Sequence, residues 1–287
     1  MKKIRIAFLG TENSHVINFC RIICGNPEYA DIEIVGGYGP EEDANEKIRQ
    51  AGYFSYFAKS PDEFLGKVDA VVVTARHGDL HYEYAMPYLK EGVHAFIDKP
   101  FTVDLTKAEE MFAVAAKTGA KMCGGSSVRF LDEIRPLKRF VEKNKVLCGQ
   151  VAAPVDMVNE YGNYFFYGQH LVEMVQTIFG PAVRSVLARS AKPEDNRVSV
   201  IFSYDGFDVT GSYTSSYTYA AHVMGESGCL DAHTVGSISY VFNSEVEEMV
   251  KMFRTGVQPY ENEVMIRPVR IMHAIEESFR TGKEVSL

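Results

Sequence analysis

Tryptophan is absent from this chain of 287 residues, cysteine occurs only five times, and no apolar run approaches the length of a membrane span. A helix that crosses a bilayer needs about 20 consecutive apolar residues, so we predict no membrane partner. The cysteines are odd in number and lack paired short spacings, which is typical of a reduced compartment. The first apolar run ends at Gly10, too early for the apolar region of a signal peptide, and a cytoplasmic location is predicted.

Positive charge is also scarce, because 30 lysines and arginines face 38 aspartates and glutamates and leave a net charge of −8. That balance argues against a nucleic-acid partner, which requires a basic surface. No set of His, Cys, Asp and Glu shows metal-ligand spacing, so no metal site is predicted. The remaining composition, 46% hydrophobic and 24% charged, is that of an ordinary globular protein, and the length suggests two domains.

The clearest local pattern lies in residues 68–101. An apolar run over residues 70–73 predicts a buried parallel strand, and residues 79–90 predict a helix. A second short apolar run over residues 94–97 predicts another buried strand. Strand, helix and strand with short connections form a right-handed βαβ unit.

Polar side chains follow both predicted strands of this unit. Thr74-Ala75-Arg76-His77 follows the first strand, and Asp98-Lys99-Pro100 follows the second. Ligands of parallel sheets bind beyond the carboxyl ends of the strands, so we expect chemistry here. Lys99 could simply pair with Asp98 in a turn, or, desolvated at the sheet edge, it could have a pKa low enough for proton transfer.

The N-terminal segment has the order strand, glycine turn and helix, which is the position of a dinucleotide-binding loop. The pattern is incomplete, since Glu12 and His15 stand near the places of later glycines. A pyrophosphate would lie at the helix N-terminus, and Glu12 would have to point away from it. The expected cofactor contacts in this loop are Gly10, Thr11, Asn13, Ser14 and His15.

The second strand, predicted over residues 31–37, lacks the acidic residue that often accepts from the adenosine ribose hydroxyls. Tyr38 at its end is the expected cofactor contact, and no arginine follows over residues 37–40. The sequence therefore leaves NAD and NADP both open. Further along, Ser60-Pro61-Asp62-Glu63 has the pattern of a helix start.

The alternation of strands and helices fades after residue 123. The glycine and serine cluster that follows predicts a domain boundary, with a dinucleotide-binding domain over residues 1–123 and a second domain over residues 124–287. Residues 183–240 show period-two patterning with turn dipeptides, which predicts an antiparallel sheet. Residues 161–179 form an aromatic-rich helix pattern, and helices are also predicted over residues 244–253 and 262–280.

Four segments, in this order, resemble motifs of the Gfo/Idh/MocA oxidoreductases, and the resemblance covers nearly the whole chain. The segments are Val71-Val72-Val73-Thr74-Ala75-Arg76 with His81, the strand Gly92 to Pro100 that ends in Asp98-Lys99-Pro100, Val128-Arg129-Phe130, and Gly168-Gln169-His170 with Glu173. The resemblance implies an α/β fold. A Rossmann-like dinucleotide-binding domain would precede a C-terminal α/β domain with an open, mainly antiparallel sheet, used for substrate binding and oligomerisation.

The resemblance also implies an activity, namely hydride transfer between NAD or NADP and a sugar, inositol or related polyol bound between the domains. Lys99 would bind the substrate hydroxyl and position the cofactor, and His170 would be the general acid/base. The other cofactor contacts expected at the strand ends are Thr74, Arg76, His77, His81 and Asp98. The expected substrate contacts are Arg129, Tyr161, Tyr164 and Tyr167. Pairing of open sheet faces would give a homo-oligomer.

Departures from the family pattern keep other functions open. Phe166 stands where many members carry an aspartate four residues before the catalytic histidine, and Asp98 is one methylene shorter than the usual glutamate. One alternative is a catalytically degenerate member that binds a nucleotide or metabolite without turnover. Another is redox-neutral chemistry with a tightly held cofactor. For the tyrosines and His170, packing in a core is the competing interpretation.

Overall fold

The structure is a computed structural model that describes residues 3–192 and 197–287. Its contacts divide the chain into two compact units. Unit 1 comprises Met1–Gly125 and Phe242–Met265, and unit 2 comprises Ser126–Val241 and Ile266–Leu287. In the part of the chain that is described, no helix combines the length and apolarity needed to cross a membrane.

Unit 1 contains a five-stranded parallel sheet with the order β2-β1-β3-β4-β5. Its strands are β1 (Ile4–Leu9), β2 (Ile32–Tyr38), β3 (Ala70–Val73), β4 (His94–Asp98) and β5 (Met122–Gly125). Its helices are α1 (Ser14–Gly25), α2 (Glu42–Gln50), α3 (Asp79–Lys90), α4 (Leu105–Thr118) and α7 (Val241–Thr255). The chain passes from β1 to β2 on one side and resumes with β3 on the other. The topological switch point therefore lies between β1 and β3.

The strands of unit 1 lie where the apolar runs predicted them, and β3 is buried along its whole length. Helix α7 is the part of unit 1 that the sequence boundary at residue 123 assigned to the second domain. Its apolar stripe joins the core formed by α1 and the sheet, through Val246, Met249, Val250, Met252 and Phe253. Each such side chain contributes about 1.5–3 kcal/mol when fully buried, so packing returns this distant segment to unit 1.

Unit 2 contains a seven-stranded sheet with the order β11-β10-β6-β9-β8-β7-β12. Its strands are β6 (Val146–Pro154), β7 (Ser185–Lys192), β8 (Arg197–Ser203), β9 (Asp208–Thr214), β10 (Ala220–Gly225), β11 (Gly228–His233) and β12 (Val285–Ser286), and its helices are α5 (Arg135–Lys143), α6 (Tyr164–Phe179) and α8 (Asn262–Thr281). Among the described strands of this second sheet, only β6 and β9 pair in parallel. The mainly antiparallel sheet is thereby confirmed, and β8 alternates buried and exposed residues as period two requires.

One predicted element was wrong. No helix starts at Ser60-Pro61-Asp62-Glu63; residues 61–67 form turns instead. Gly66, near the end of these turns, has a left-handed φ of 71°, and β3 begins four residues after it. A helix started at Ser60 would have too few residues before this turn to form a stable second turn.

Candidate active site

The loops after β1 and β3 touch through a glycine. Gly10 has a φ of 99°, and a Cβ atom there would lie 2.2 Å from the Ala75 amide nitrogen. Only glycine allows this approach. Thr74 is fully buried, and its Oγ1 donates to the Gly10 carbonyl at 3.0 Å. Gly10 and Thr74, both expected cofactor contacts, therefore fix the geometry of the switch point.

The rest of the β1–α1 loop directs the N-terminus of α1 toward this edge. Asn13 caps the helix by accepting from the His15 amide at 3.0 Å, and Ser14 is exposed at its first position. Thr11 is buried; its Oγ1 donates to Asn45 at 2.5 Å, and its amide donates to the Tyr38 carbonyl at 3.1 Å. The N-terminus of a capped helix suits an anion.

Glu12 does not point away from the loop. Its side chain is 7% exposed, Oε1 accepts from the Arg76 amide at 3.2 Å, and Oε2 has no hydrogen-bond partner among the described residues. The Arg76 guanidinium donates to Glu41 at 2.9 Å and to the Glu12 carbonyl, so it links the loops after three strands. Burial raises the pKa of Glu12 above its usual range, although the backbone amides of Glu12 and Arg76 oppose the rise.

Asp98 is the centre of a buried charged cluster at the end of β4. Its Oδ2 lies 2.7 Å from Nδ1 of His15 and accepts from Asn13 at 3.2 Å, while Oδ1 accepts from the Lys99 amide at 2.7 Å. Burial alone would raise the pKa of Asp98, but the charges of His15 and Lys99 outweigh it and hold the pKa below its usual range. The His15 ring is fixed edge-on by Phe242, with centroids 4.8 Å apart.

Lys99 is only 5% exposed, and the Lys99–Pro100 peptide is cis. Burial lowers the pKa of Lys99, and the carboxylates of Asp98 and Glu245 oppose that shift. Glu245 belongs to α7 and is 1% exposed. Sequence reasoning missed this second carboxylate, because nothing near residue 245 shows that α7 returns to unit 1.

His81 and His77 behave differently from each other. We expected His81 to contact the cofactor, but its ring is fully buried, with Nδ1 2.7 Å from the Pro100 carbonyl and Nε2 2.8 Å from the Ala75 carbonyl. It holds the ends of β3 and β4 in place, and burial lowers its pKa. His77 stays partly exposed at the edge, where its Nδ1 accepts from the Asp79 amide at 3.2 Å.

In unit 2, His170 lies on α6 and is 5% exposed. Its Nδ1 is 2.6 Å from Oγ of Ser126. Glu173 Oε1 accepts from the Ser126 amide at 3.2 Å and from Gln169 Nε2 at 2.8 Å. Ser126 was not singled out from the sequence, although a polar residue directly after the last parallel strand was a usable signal.

Aromatic rings surround His170. The Tyr167 ring centroid lies 5.2 Å from that of His170, and Tyr219 stands edge-on at 5.8 Å. Tyr217 is 74% exposed, and its hydroxyl donates to the Tyr167 hydroxyl at 3.0 Å. Tyr167 was expected here; Tyr217 and Tyr219 were missed because their loop carries no local signal.

The other expected substrate contacts separate into two groups. Tyr164 is 7% exposed, its hydroxyl is 3.0 Å from that of Tyr213, and the Tyr213 hydroxyl donates to the Gly168 carbonyl at 2.7 Å. Tyr164 therefore packs in the core of unit 2 rather than lining a site. Tyr161 and Arg129 remain nearer the surface: Tyr161 packs on Phe166 at 5.0 Å, and the Arg129 guanidinium lies over the Phe130 ring at 5.0 Å.

Comparison with known proteins agrees with this arrangement. Residues 4–125 match the model of the Gfo/Idh/MocA oxidoreductase family with an NAD-binding Rossmann fold. The uncharacterized oxidoreductase YhhX of Escherichia coli K12 is 27% identical, over 70% of this chain and 72% of its own length. The NADP⁺-dependent scyllo-inositol 2-dehydrogenase IolU of Bacillus subtilis 168 is 25% identical, over 58% of this chain and 57% of its own length.

Among solved structures, myo-inositol 2-dehydrogenase from Lactobacillus plantarum superposes with a TM-score of 0.86 at 15% identity and covers 100% of both chains. At that identity the match speaks for the fold alone. The parallel sheet, the glycine turn at Gly10 and the lysine at the end of β4 all lie within the residues that the family model matches. Residues 4–125 of this chain therefore match the Gfo/Idh/MocA oxidoreductase family with its NAD-binding Rossmann fold.

Proposed function

We propose that this oxidoreductase transfers a hydride between NAD or NADP and a carbon that bears a hydroxyl in a sugar-like or polyol substrate, with Lys99 and His170 assisting proton transfer. Lys99 carries the proposal. It is a buried ammonium at the carboxyl end of a parallel strand, and its pKa is lowered by burial. A lysine with that pKa exchanges protons more readily near neutrality than a solvated one.

The residues of unit 1 fit a dinucleotide at the switch point. Gly10 allows the loops after β1 and β3 to approach each other closely, the capped N-terminus of α1 suits a phosphate, and Arg76 supplies a cation. Asp98, His15 and His77 would complete the cofactor side, and Tyr38 would lie on the adenosine side. The nicotinamide ring, when bound, supplies or accepts the hydride.

We assign the proton step to side chains of both units. Lys99 would donate a hydrogen bond to the substrate hydroxyl and stabilise the oxygen as the proton leaves. His170 would take that proton at Nε2, because the contact between Nδ1 and Ser126 orients the ring. Unit 1 is accordingly proposed as the cofactor-binding domain, and unit 2 as the domain for substrate binding and oligomerisation.

The aromatic surroundings of His170 support a ring-shaped polyol. Tyr167 lies beside His170, and Tyr217 packs edge-on against Tyr167; the carbon-bound hydrogens of a cyclic polyol would pack well on aromatic ring faces here. Tyr161 and Arg129 are proposed as further contacts. The relative IolU is a scyllo-inositol 2-dehydrogenase, which is consistent with this substrate class.

The test is a screen of hydride transfer with NAD and NADP against inositols and hexoses, followed by two variants. Lys99→Ala and His170→Asn are each expected to lower kcat/KM by about 10²–10⁴-fold, the usual loss on removal of a general acid or base. His233→Asn, on the exposed side of β11, is the matched control and should leave turnover unchanged. Binding of NADH, followed by fluorescence, should survive His170→Asn.

Two results would contradict the proposal. Unchanged turnover in both Lys99→Ala and His170→Asn would exclude the assigned roles. NADH binding without any hydride transfer across the screen would favour the alternative of a degenerate member, which the substitution of Phe166 at the usual aspartate position makes worth testing.

A further inference from the structure

Glu12 and Arg76 stand on either side of the switch point. Glu12 lies in the loop after β1, Arg76 lies in the loop after β3, and these two strands are neighbours in the sheet. The Oε1 atom of Glu12 accepts from the Arg76 amide at 3.2 Å and so crosses the crevice between the loops. Dinucleotides bind in this type of crevice, so Glu12 occupies a position where a cofactor's phosphates pass.

The second carboxyl oxygen of Glu12 points to a ligand. Oε2 is buried and lacks a hydrogen-bond partner among the described residues, in a side chain that is 7% exposed. Buried polar atoms are almost always paired, and an unpaired one is costly. Because Oε1 already accepts a hydrogen bond from the Arg76 amide, Oε2 is the carboxyl oxygen that still needs a hydrogen-bond partner.

The surroundings favour an anion next to that oxygen. Helix α1 begins two residues after Glu12, and the Arg76 guanidinium reaches the Glu12 carbonyl. An ionised Glu12 would repel a phosphate, whereas a neutral carboxyl can donate a hydrogen bond to it. The groups that face Glu12 are Arg76, Glu41 and, from α3, Tyr84; burial raises the pKa of Glu12 and the charge of Glu41 adds to the rise.

We propose that Glu12 is a proton-dependent ligand of the cofactor's pyrophosphate. In the bound state the neutral carboxyl accepts the Arg76 amide hydrogen through Oε1 and donates from Oε2 to a phosphate oxygen. The proton comes from solvent, so cofactor binding is linked to proton uptake at Glu12. The inference rests on cofactor binding by the proposed oxidoreductase and not on the roles of Lys99 and His170.

The test is calorimetric titration with NADH in two buffers of different ionisation enthalpy, from pH 6 to pH 9. The wild-type protein is expected to take up as much as about one proton per NADH, and its affinity should fall by up to about tenfold per pH unit above the pKa of free Glu12. ADP-ribose, which retains the pyrophosphate, should reproduce the uptake.

Glu12→Gln keeps a carbonyl oxygen for Arg76 and an N–H donor for the phosphate, so it should lose this uptake and bind NADH more tightly than wild type at pH 8. Glu41→Gln removes a charge beside the same arginine and should retain the uptake. Binding by the wild type without proton uptake, uptake retained in Glu12→Gln, or uptake absent with ADP-ribose would each overturn the assignment. Binding of neither NADH nor NADPH by folded wild type would overturn the proposed function as well.

Discussion

Lys99 and His170, one in each unit, are held in opposite ways. Around Lys99 the neighbours are charged: Asp98, Glu245 and, through Asp98, His15. Around His170 they are hydroxyls and aromatic rings, with Ser126 at Nδ1 and Tyr167 beside the ring. Charge compensation is strong but depends on every partner, whereas a hydroxyl network loses one modest contact at a time. The two residues should therefore differ in their sensitivity to mutation and pH.

The sharpest test of this contrast is Asp98→Ala. The substitution removes the carboxylate that contacts His15 and one of the two carboxylates that offset the charge of Lys99, and loss of one partner from a buried pair costs about 3–5 kcal/mol. Chemical denaturation should show that loss in the free energy of unfolding. Glu226→Ala, which breaks the exposed pair with Lys145, is the control and should change little. Equal effects of the two variants would remove the contrast.

Acid should weaken the charged cluster around Asp98. The pKa of Asp98 in the folded protein is held below its unfolded value of about 3.9, so its contribution is complete above that pH and is lost as the pH falls through the folded pKa. The stability advantage of wild type over Asp98→Asn should thus shrink below about pH 4. An advantage that grew on acidification would reverse the sign of the proposed coupling.

In unit 2 a smaller loss is expected from Tyr213→Phe. Its hydroxyl donates to the Gly168 carbonyl and contacts the Tyr164 hydroxyl, all of them buried. Leaving such groups without a partner costs about 1–3 kcal/mol. Thermal denaturation would measure this, and Tyr217→Phe, at an exposed hydroxyl, is the matched control. A loss as large as that of Asp98→Ala would show that the two units are equally sensitive.

The smallest effect should come from Ser126→Ala. The hydrogen bond to His170 Nδ1 is one between neutral groups, and losing it should lower kcat/KM by about three- to tenfold. The pH profile of kcat/KM should also shift, since the group that orients the imidazole is gone, and Ser126→Thr should restore both. A lowered rate with an unchanged profile would make Ser126 a packing residue only.

The sequence predicted the Rossmann strands and the strand-end positions of Lys99 and Asp98, because buried parallel strands are continuous apolar runs with polar ends. It did not predict Glu245, whose place beside Lys99 follows from long-range packing of α7. Nor could it tell that Tyr164 turns inward, since Tyr serves equally well in a core once its hydroxyl is bonded. The direction of the Glu12 side chain was likewise a matter of tertiary contact.

Because α7 packs in unit 1, most of unit 2 is synthesised between the two segments that form unit 1. Residues 126–241 are translated before the segment 242–265 that completes the core of unit 1. A nascent chain that has just emerged through β5 holds all five parallel strands but leaves one face of α1 and the sheet uncovered. The core of unit 1 must therefore wait until residues 126–241 of the second unit have been made, and a fragment ending at Gly125 should expose that apolar face and aggregate.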